Sequence, residues 1–168
     1  GDTVNLGVGQ GYINATPLQL AYYSAFLATK GKLNKFSFVQ DSKDLKKDTY
    51  ISKNINSNDW TKIHQSMVGV IENPKGTAGR LRALKDYIVA AKSGTVELVS
   101  TETKEDYQII REIEGQRDHA IIIAFGPMPN PEYAVSVVIE NGESGGSVAG
   151  PVAIAVLNSL IKEWINLS

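Results

Sequence analysis

A strand that is apolar at both ends and carries a lysine in its middle must lead that lysine somewhere wet or charged. The run Ile88-Val-Ala-Ala91 is apolar and begins with β-branched residues, and Val96, Leu98 and Val99 continue it, so residues 88–99 read as one largely buried strand. Lys92, Ser93, Gly94 and Thr95 interrupt that run without ending it. Burying an unpaired ammonium costs several kcal/mol, so Lys92 must meet partners or line a hydrated cleft. Strand alternation puts the Ser93 and Thr95 hydroxyls on one face. Gly94 has no side chain, so another molecule can approach the backbone closely there. A cation, two hydroxyls and an open backbone edge suit a carboxylate or a developing oxyanion. The same four residues also fit a strand end with a bulge and a solvated lysine, and the tetrapeptide alone does not separate the two.

Helices precede this strand and further strands follow it. Gly7-Val-Gly9-Gln10-Gly11 is a flexible approach to a helix, and Tyr12 stands where a dinucleotide fingerprint needs its third glycine. Thr16-Pro17-Leu18-Gln19 supplies an N-cap, a first-turn proline and the glutamine of a capping box. Leu18, Ala21, Tyr22, Ala25 and Phe26 recur at helical spacing as a core-facing stripe, and Gly31 is a natural stop. Residues 32–58 are polar and lysine-rich, a solvated excursion with room for a short strand at Phe36–Val39. A second helix is expected from about Asn58 to Glu72, with Trp60, Ile63, Met67, Val70 and Ile71 on one face. His64 lies beside that face as a packed or surface residue, and Asn73-Pro74 ends the helix. A tight connection at Gly76–Gly79 and a helical turn over Arg80–Leu84 lead into the central strand.

Beyond it, residues 100–118 are charged and irregular in pattern, as a hairpin or a mobile loop would be. His119–Phe125 and Tyr133–Glu140 read as strands, joined through Pro127-Met-Pro129-Asn-Pro131 by a connection short enough for antiparallel neighbours. Asn141–Ser147 is a glycine-rich loop. Pro151 opens a last helix, with Val152, Ala153, Ala155, Val156, Leu160 and Trp164 as its buried candidates. Helices, then three strands, then a helix make an α+β fold, an antiparallel sheet flanked by helices.

At 168 residues this is one domain by length, with enough chain for a real core. Lys plus Arg is 17 against 18 for Asp plus Glu, and no basic run or aromatic-basic ladder points to nucleic acid. Cysteine is absent, which removes disulfides, thiolate nucleophiles and zinc-thiolate sites. The two histidines, His64 and His119, lack metal-ligand spacing. No apolar run approaches the length needed to cross a bilayer, and no signal peptide is visible. The chain opens at Gly1 in a stretch that already looks structured, and reads as a piece of a longer polypeptide.

Five stretches taken together carry a resemblance. They are Gly9-Gln10-Gly11-Tyr12-Ile-Asn-Ala-Thr16-Pro17-Leu18-Gln19-Leu20-Ala21, Lys75-Gly76-Thr77-Ala78, Ala91-Lys92-Ser93-Gly94-Thr95, His119-Ala-Ile-Ile-Ile-Ala-Phe125-Gly-Pro127 and Val138-Ile-Glu-Asn141-Gly142. With them, in this order, the chain resembles the C-terminal half of the transpeptidase domain of class B penicillin-binding proteins. The first and last stretches look most like the elongation-type, rod-shape branch. Lys92-Ser93-Gly94 corresponds to that family's Lys-Thr/Ser-Gly motif.

The resemblance implies a five-stranded antiparallel sheet sandwiched by helices. This piece, residues 1–168 as the C-terminal part of a single transpeptidase domain, would supply the last three strands, the C-terminal helix and two helices of the neighbouring layer. It implies acyl transfer by a serine on D-Ala-D-Ala stem peptides, and acylation of the same serine by β-lactams. Of the family's three motifs only the third is clearly present. Ser159-Leu-Ile-Lys162 and Ser52-Lys53-Asn54 match the other two as text but stand in the wrong order. The nucleophile and general base are therefore expected from a missing N-terminal portion, and the fragment alone is expected to be inactive.

In this reading Lys92 and Thr95 are the catalytic residues, and Ser93, Gly94, Thr95, Gln10 and Glu97 bind substrate. The Glu143-Ser144 loop walls the cleft. No metal or organic cofactor is implied. The implied partners are peptidoglycan stem peptides, β-lactams, the rest of the same protein, a rod-shape-determining scaffold of the MreC type and a glycosyltransferase that polymerises lipid II. The implied location is the periplasmic face of the bacterial cytoplasmic membrane, with an anchor outside this chain. Two other readings remain: a serine β-lactamase or β-lactam sensor domain, and a non-catalytic scaffold-binding module in which Lys92 merely solvates a strand end.

Overall fold

A computed structural model describes residues 14–33, 50–51, 54–98, 103–113 and 115–167. The glycine-rich approach with Gln10 and the strand expected at Phe36–Val39 lie outside those residues. Helix α1, Pro17–Ala28, starts as its sequence dictates. Gln19 N–H donates to Thr16 Oγ1 at 3.2 Å, and Thr16 N–H donates to Gln19 Oε1 at 2.8 Å, so both halves of the capping box form. Gly31 ends it with φ +79°, where a side chain would strain the backbone, and its N–H reaches Phe26 O at 2.8 Å. Strands β1, Lys32–Leu33, and β2, Tyr50–Ile51, form a small antiparallel pair. Helix α2, Ser57–Glu72, is capped by Asn56, whose Oδ1 accepts from Asp59 N–H at 2.9 Å, and it ends at Asn73. A 3₁₀ turn over Gly79–Leu84 follows.

The centre is a three-stranded antiparallel sheet of β3, Ala90–Val96, β4, His119–Gly126, and β5, Tyr133–Ile139, in that spatial order. The register pairs Ala90 with Phe125, Lys92 with Ile123, Gly94 with Ile121 and Thr95 with Ala120. Directly opposed residues share a face. Ala90, Lys92, Gly94, Ile121, Ile123 and Phe125 therefore look one way, and Ala91, Ser93, Thr95, Ala120, Ile122 and Ala124 the other. On the first face α1 and α2 bring Leu27, Ala28, Trp60 and Met67 onto Ala90, Ile123 and Phe125. On the second, helix α4, Gly150–Leu167, and the 3₁₀ turn bring Ile154, Leu157, Ile161 and Leu81 onto Ala91, Ala120, Ile122 and Ala124. Two helical layers thus enclose one sheet, and β3 lies at an edge of the described strands.

Several expectations are corrected by packing. The strand expected over Ile88–Val99 pairs only from Ala90 to Val96. The Ile88 carbonyl accepts from Met128 N–H in the proline turn at 2.9 Å, and Ile88 and Leu98 are exposed. The charged stretch expected as a hairpin or mobile loop contains a helix, α3, Lys104–Glu112. Thr103 caps it, Glu105 and Asp106 sit in its first turn and Arg111 in its last, all favourable to the helix dipole. In α1 the buried face is Ser24, Leu27 and Ala28, while Leu18 is exposed. A serine can take that central place because its hydroxyl donates to Ala124 O at 3.0 Å. In α4 the buried residues are Ala153, Ile154, Leu157 and Ile161, whereas Val152, Ala155 and Val156 are exposed. Trp164 lies outside the described side chains. The glycine-rich loop coils into a π-helical turn over Gly145–Ala149 that runs straight into α4. Gly145–Glu163 is, contrary to expectation, long and apolar enough to cross a membrane by length and composition, but Ile154, Leu157 and Ile161 are spent on the sheet.

Candidate active site

The edge of β3 opens into a cleft of about 610 Å³ lined by both polar and apolar side chains. Lys92, Ser93, Gly94, Thr95 and Val96 form its strand side, Thr77 and the Ser144-Gly145-Gly146 turn its rims, and Leu20 and Tyr23 of α1 a far wall. Lys92 and the two hydroxyl residues leave opposite faces of β3, yet all reach the cleft because no described strand covers that edge. Lys92 also lines an adjoining hollow of about 620 Å³ between α2 and the Lys75–Thr77 turn. Its Nζ donates to Ser93 O. Ser93 and Thr77 hydroxyls share a hydrogen bond of 2.9 Å, and Thr95 Oγ1 donates to Glu143 O at 3.3 Å.

Glycines let two backbones meet beneath these side chains. A Cβ on Gly145 would stand 2.2 Å from Ile121 O and 2.6 Å from Gly94 O, so only glycine permits the turn to settle on the β3–β4 ladder. The sequence reading gave Gly94 to an approaching molecule. Its backbone is approached by the chain's own Gly145, while the space where a Gly94 Cβ would stand holds nothing nearer than Ile121 Cβ at 3.8 Å.

The entry to β3 is anchored away from the cleft. Tyr87 OH donates to Asn158 Oδ1 at 2.6 Å, and Asn158 Nδ2 donates to Leu84 O at 2.8 Å. Lys85, almost fully enclosed, bonds Glu72 and the Tyr87 carbonyl. Burial, and secondarily the nearby Asp86 charge, pushes the Tyr87 phenol up to about 12. On the other side of the cleft, Arg111 donates from Nε and Nη2 to the two Glu143 carboxylate oxygens at 3.2 and 2.6 Å. That bond holds the Glu143 carboxyl below its ordinary range and raises the guanidinium.

Of the residues expected from sequence, Lys92, Ser93, Gly94 and Thr95 are brought together. Ser144 joins them, while Glu143 turns its carboxylate away toward Arg111. Glu97 is exposed just past the end of β3 and is not among the cleft residues. Gln10 lies outside the described residues. Thr77, Gly145 and Gly146 were missed as site residues. The paired glycines immediately before an apolar helix were the available signal for a close backbone approach. His64 is packed: its Nε2 lies 2.7 Å from Leu27 O and its ring tilts against Phe125.

With this geometry in place, comparison with known proteins gives a consistent pattern. The model of the penicillin-binding protein transpeptidase domain matches residues 1–158. The peptidoglycan D,D-transpeptidase MrdA of Escherichia coli K12 is 34% identical over 155 residues, covering 88% of this chain and 24% of that protein. A crystal structure of Pseudomonas aeruginosa PBP2 superposes with a TM-score of 0.74 at 33% identity, covering 95% of this chain and 33% of that one. PBP2 of Helicobacter pylori, solved in complex with MreC, superposes with a TM-score of 0.74 at 29% identity, covering 96% of this chain and 27% of that one. The chain spans about a quarter of the length of the curated relatives it matches.

Proposed function

This chain belongs to the penicillin-binding protein transpeptidase domain family, and from that premise we propose that it is the C-terminal part of one transpeptidase domain whose parent is a serine-type peptidoglycan D,D-transpeptidase. The observation that carries the reading is that Lys92, Ser93, Gly94 and Thr95 line one cleft on an edge strand. In the reaction, a serine of the parent attacks the penultimate carbonyl of a D-Ala-D-Ala stem, and the terminal D-Ala leaves with a proton. The acyl group then passes to the amine of a neighbouring stem, which returns the proton to the serine. The nucleophile and general base come from Ser-x-x-Lys and Ser-x-Asn elements of the parent outside residues 1–168.

Lys92 sets a fixed positive potential that favours the substrate carboxylate and eases proton transfer through a neighbouring serine. The Ser93 and Thr95 hydroxyls hold the terminal carboxylate. The Thr95 N–H is one oxyanion donor and the nucleophile's own N–H the other. Such a donor contributes on the order of a hundred- to a thousandfold in rate.

The parent works at the periplasmic face of the cytoplasmic membrane, anchored by a segment outside this chain. It works beside an MreC-type scaffold and a glycosyltransferase that polymerises lipid II. The complex of the Helicobacter pylori relative with MreC supports the first of these partners. The test is labelling of the full-length parent with fluorescent penicillin, together with D-Ala release from D-Ala-D-Ala stem peptides and formation of cross-linked product. Stable labelling with cross-linking supports the reading. Rapid turnover of the bound penicillin makes the parent a β-lactamase, and no labelling makes the cleft a non-catalytic surface.

A further inference from the structure

We infer that the Arg111–Glu143 ion pair is a latch through which α3 positions the 141–147 wall of the cleft, making both residues positioning residues for the acyl transfer proposed above, on which this inference rests. Glu143 has φ +61°, a left-handed backbone that residues other than glycine, asparagine and aspartate rarely adopt and that persists only where its surroundings over-determine it. Here every polar group of the residue is held. Its N–H donates to Asp118 O at 2.8 Å, and its carbonyl accepts from Thr95 Oγ1 at 3.3 Å. Its carboxylate accepts both Arg111 bonds, with Arg117 Nε 3.9 Å away.

The grip comes from one face of α3. Tyr107 and Arg111, four residues apart, are neighbours on that face, with the Arg111 guanidinium 5.7 Å from the Tyr107 ring centre. Tyr107 OH donates to the Asp118 carboxylate at 2.7 Å while Arg111 takes Glu143. The helix thus fastens to the start of β4 and to the loop after β5, the two segments that the Glu143 N–H already joins. Downstream, Ser144 lines the cleft and Gly145 sits against the Gly94 backbone. A shift at Glu143 therefore moves the Thr95 hydroxyl's acceptor and the Ser144 rim of the cleft together. The pair is partly exposed, with side chains 39% and 29% accessible, and exposed pairs add little to stability. Its consequence is geometry rather than fold.

The test uses the full-length parent and the variants Arg111→Met, Glu143→Gln, the double variant and Arg111→Lys. Hydrogen exchange over residues 141–149 reads the latch. The penicillin acylation constant, split into initial binding and the chemical step, reads the site, and the melting temperature reads the fold. Expected are faster exchange at 141–149, acylation slower by about ten- to a hundredfold and a nearly unchanged melting temperature. The double variant should be no worse than either single one, and Arg111→Lys intermediate, since a lysine keeps the charge but not the fork. Unchanged exchange in both single variants of an acylating parent overturns the latch. Raised exchange with acylation at the parent's rate overturns the positioning role. A parent that takes up no penicillin overturns the transpeptidase reading and the positioning role with it.

Discussion

Lys92 is exposed to the cleft and its Nζ bonds only the adjacent Ser93 carbonyl among its described hydrogen bonds, so little of the fold depends on it. Lys92→Ala in the parent should leave stability within about 0.5 kcal/mol, as surface changes usually do. Acylation by penicillin should nevertheless fall steeply, because carboxylate docking and the proton path lose the same charge. Arg at this position keeps the charge but lends no proton readily, and should restore docking more than chemistry. Thr95→Val removes a hydroxyl and spares the backbone N–H, so it should be milder. Second-order acylation rates on thermally checked variants decide the ranking, and a Lys92→Ala parent that acylates normally reduces Lys92 to a solvated strand residue. Tyr87 offers a separate check at this scale. Its folded value, about 12, lies above the ordinary 10.0. The neutral phenol therefore contributes stability that is fully present below pH 10 and is lost as pH rises through about 12. Ultraviolet titration should show a late-ionising tyrosine that disappears in Tyr87→Phe. That variant should also lose about 1 kcal/mol, because Asn158 Oδ1 is left without its donor.

The contact between the π-helical turn and the sheet makes Gly145 the most sensitive position of the cleft wall. Gly145→Ala puts a methyl 2.2 Å from Ile121 O and 2.6 Å from Gly94 O, both backbone atoms that cannot swing aside. The turn must lift off β3 and β4, so the melting temperature and the acylation rate should fall together. A variant that keeps both would show that the turn is not seated on the ladder. The elements that sequence made legible were those with strong local signals. The Thr16/Gln19 capping box, the Asn73-Pro74 stop and the continuous apolar run of β4 all belong to this class, and the structure follows them. What stayed hidden was set by tertiary contact. In α4 the run Val152–Leu157 is apolar all round, so periodicity carries no phase, and packing alone selects Ile154 and Leu157. In α1 a serine takes the centre of the buried face because a carbonyl of β4 is there to receive it. The helix at Lys104–Glu112 carried local signals in its Thr103 cap and end charges, but its exposed, charged composition masked them. The partners Asp118 and Glu143 that fasten it enter only through the fold. Likewise the Lys92–Thr95 side of the cleft was readable, whereas Thr77 and Gly145–Gly146 enter it only through the fold.

At the scale of the whole molecule, the sheet has helices on both faces, its β3 edge is uncovered among the described strands, and the cleft lies along that edge. The polar groups that the described residues bring to the cleft, beside apolar ones such as Leu20, Ile121 and Ile123, are suited to recognition and charge: a cation, hydroxyls and backbone. Acylation also needs a hydroxyl whose proton a neighbouring base removes, held within about 3 Å of that base. Ser159 and Lys162 have the spacing of such a pair, but both are exposed on α4 and neither is among the cleft residues. Both side chains stand in solvent, so the pair lacks the enclosed, oriented arrangement that activates a hydroxyl. Ser93 and Ser144 do line the cleft, but their hydroxyls bond Thr77 and Ser147, hydroxyl partners that cannot act as a base. The 168-residue chain, purified by itself and checked for helix and sheet by circular dichroism, should therefore show no mass increase with a β-lactam. The full-length parent should gain one acyl group under the same conditions. An adduct mapped to Ser159 by peptide mass spectrometry would mean that the α4 pair is a working nucleophile and base. A folded chain that stays unmodified while its parent is acylated, with the adduct mapped outside residues 1–168, places the reactive serine in the parent's remaining sequence.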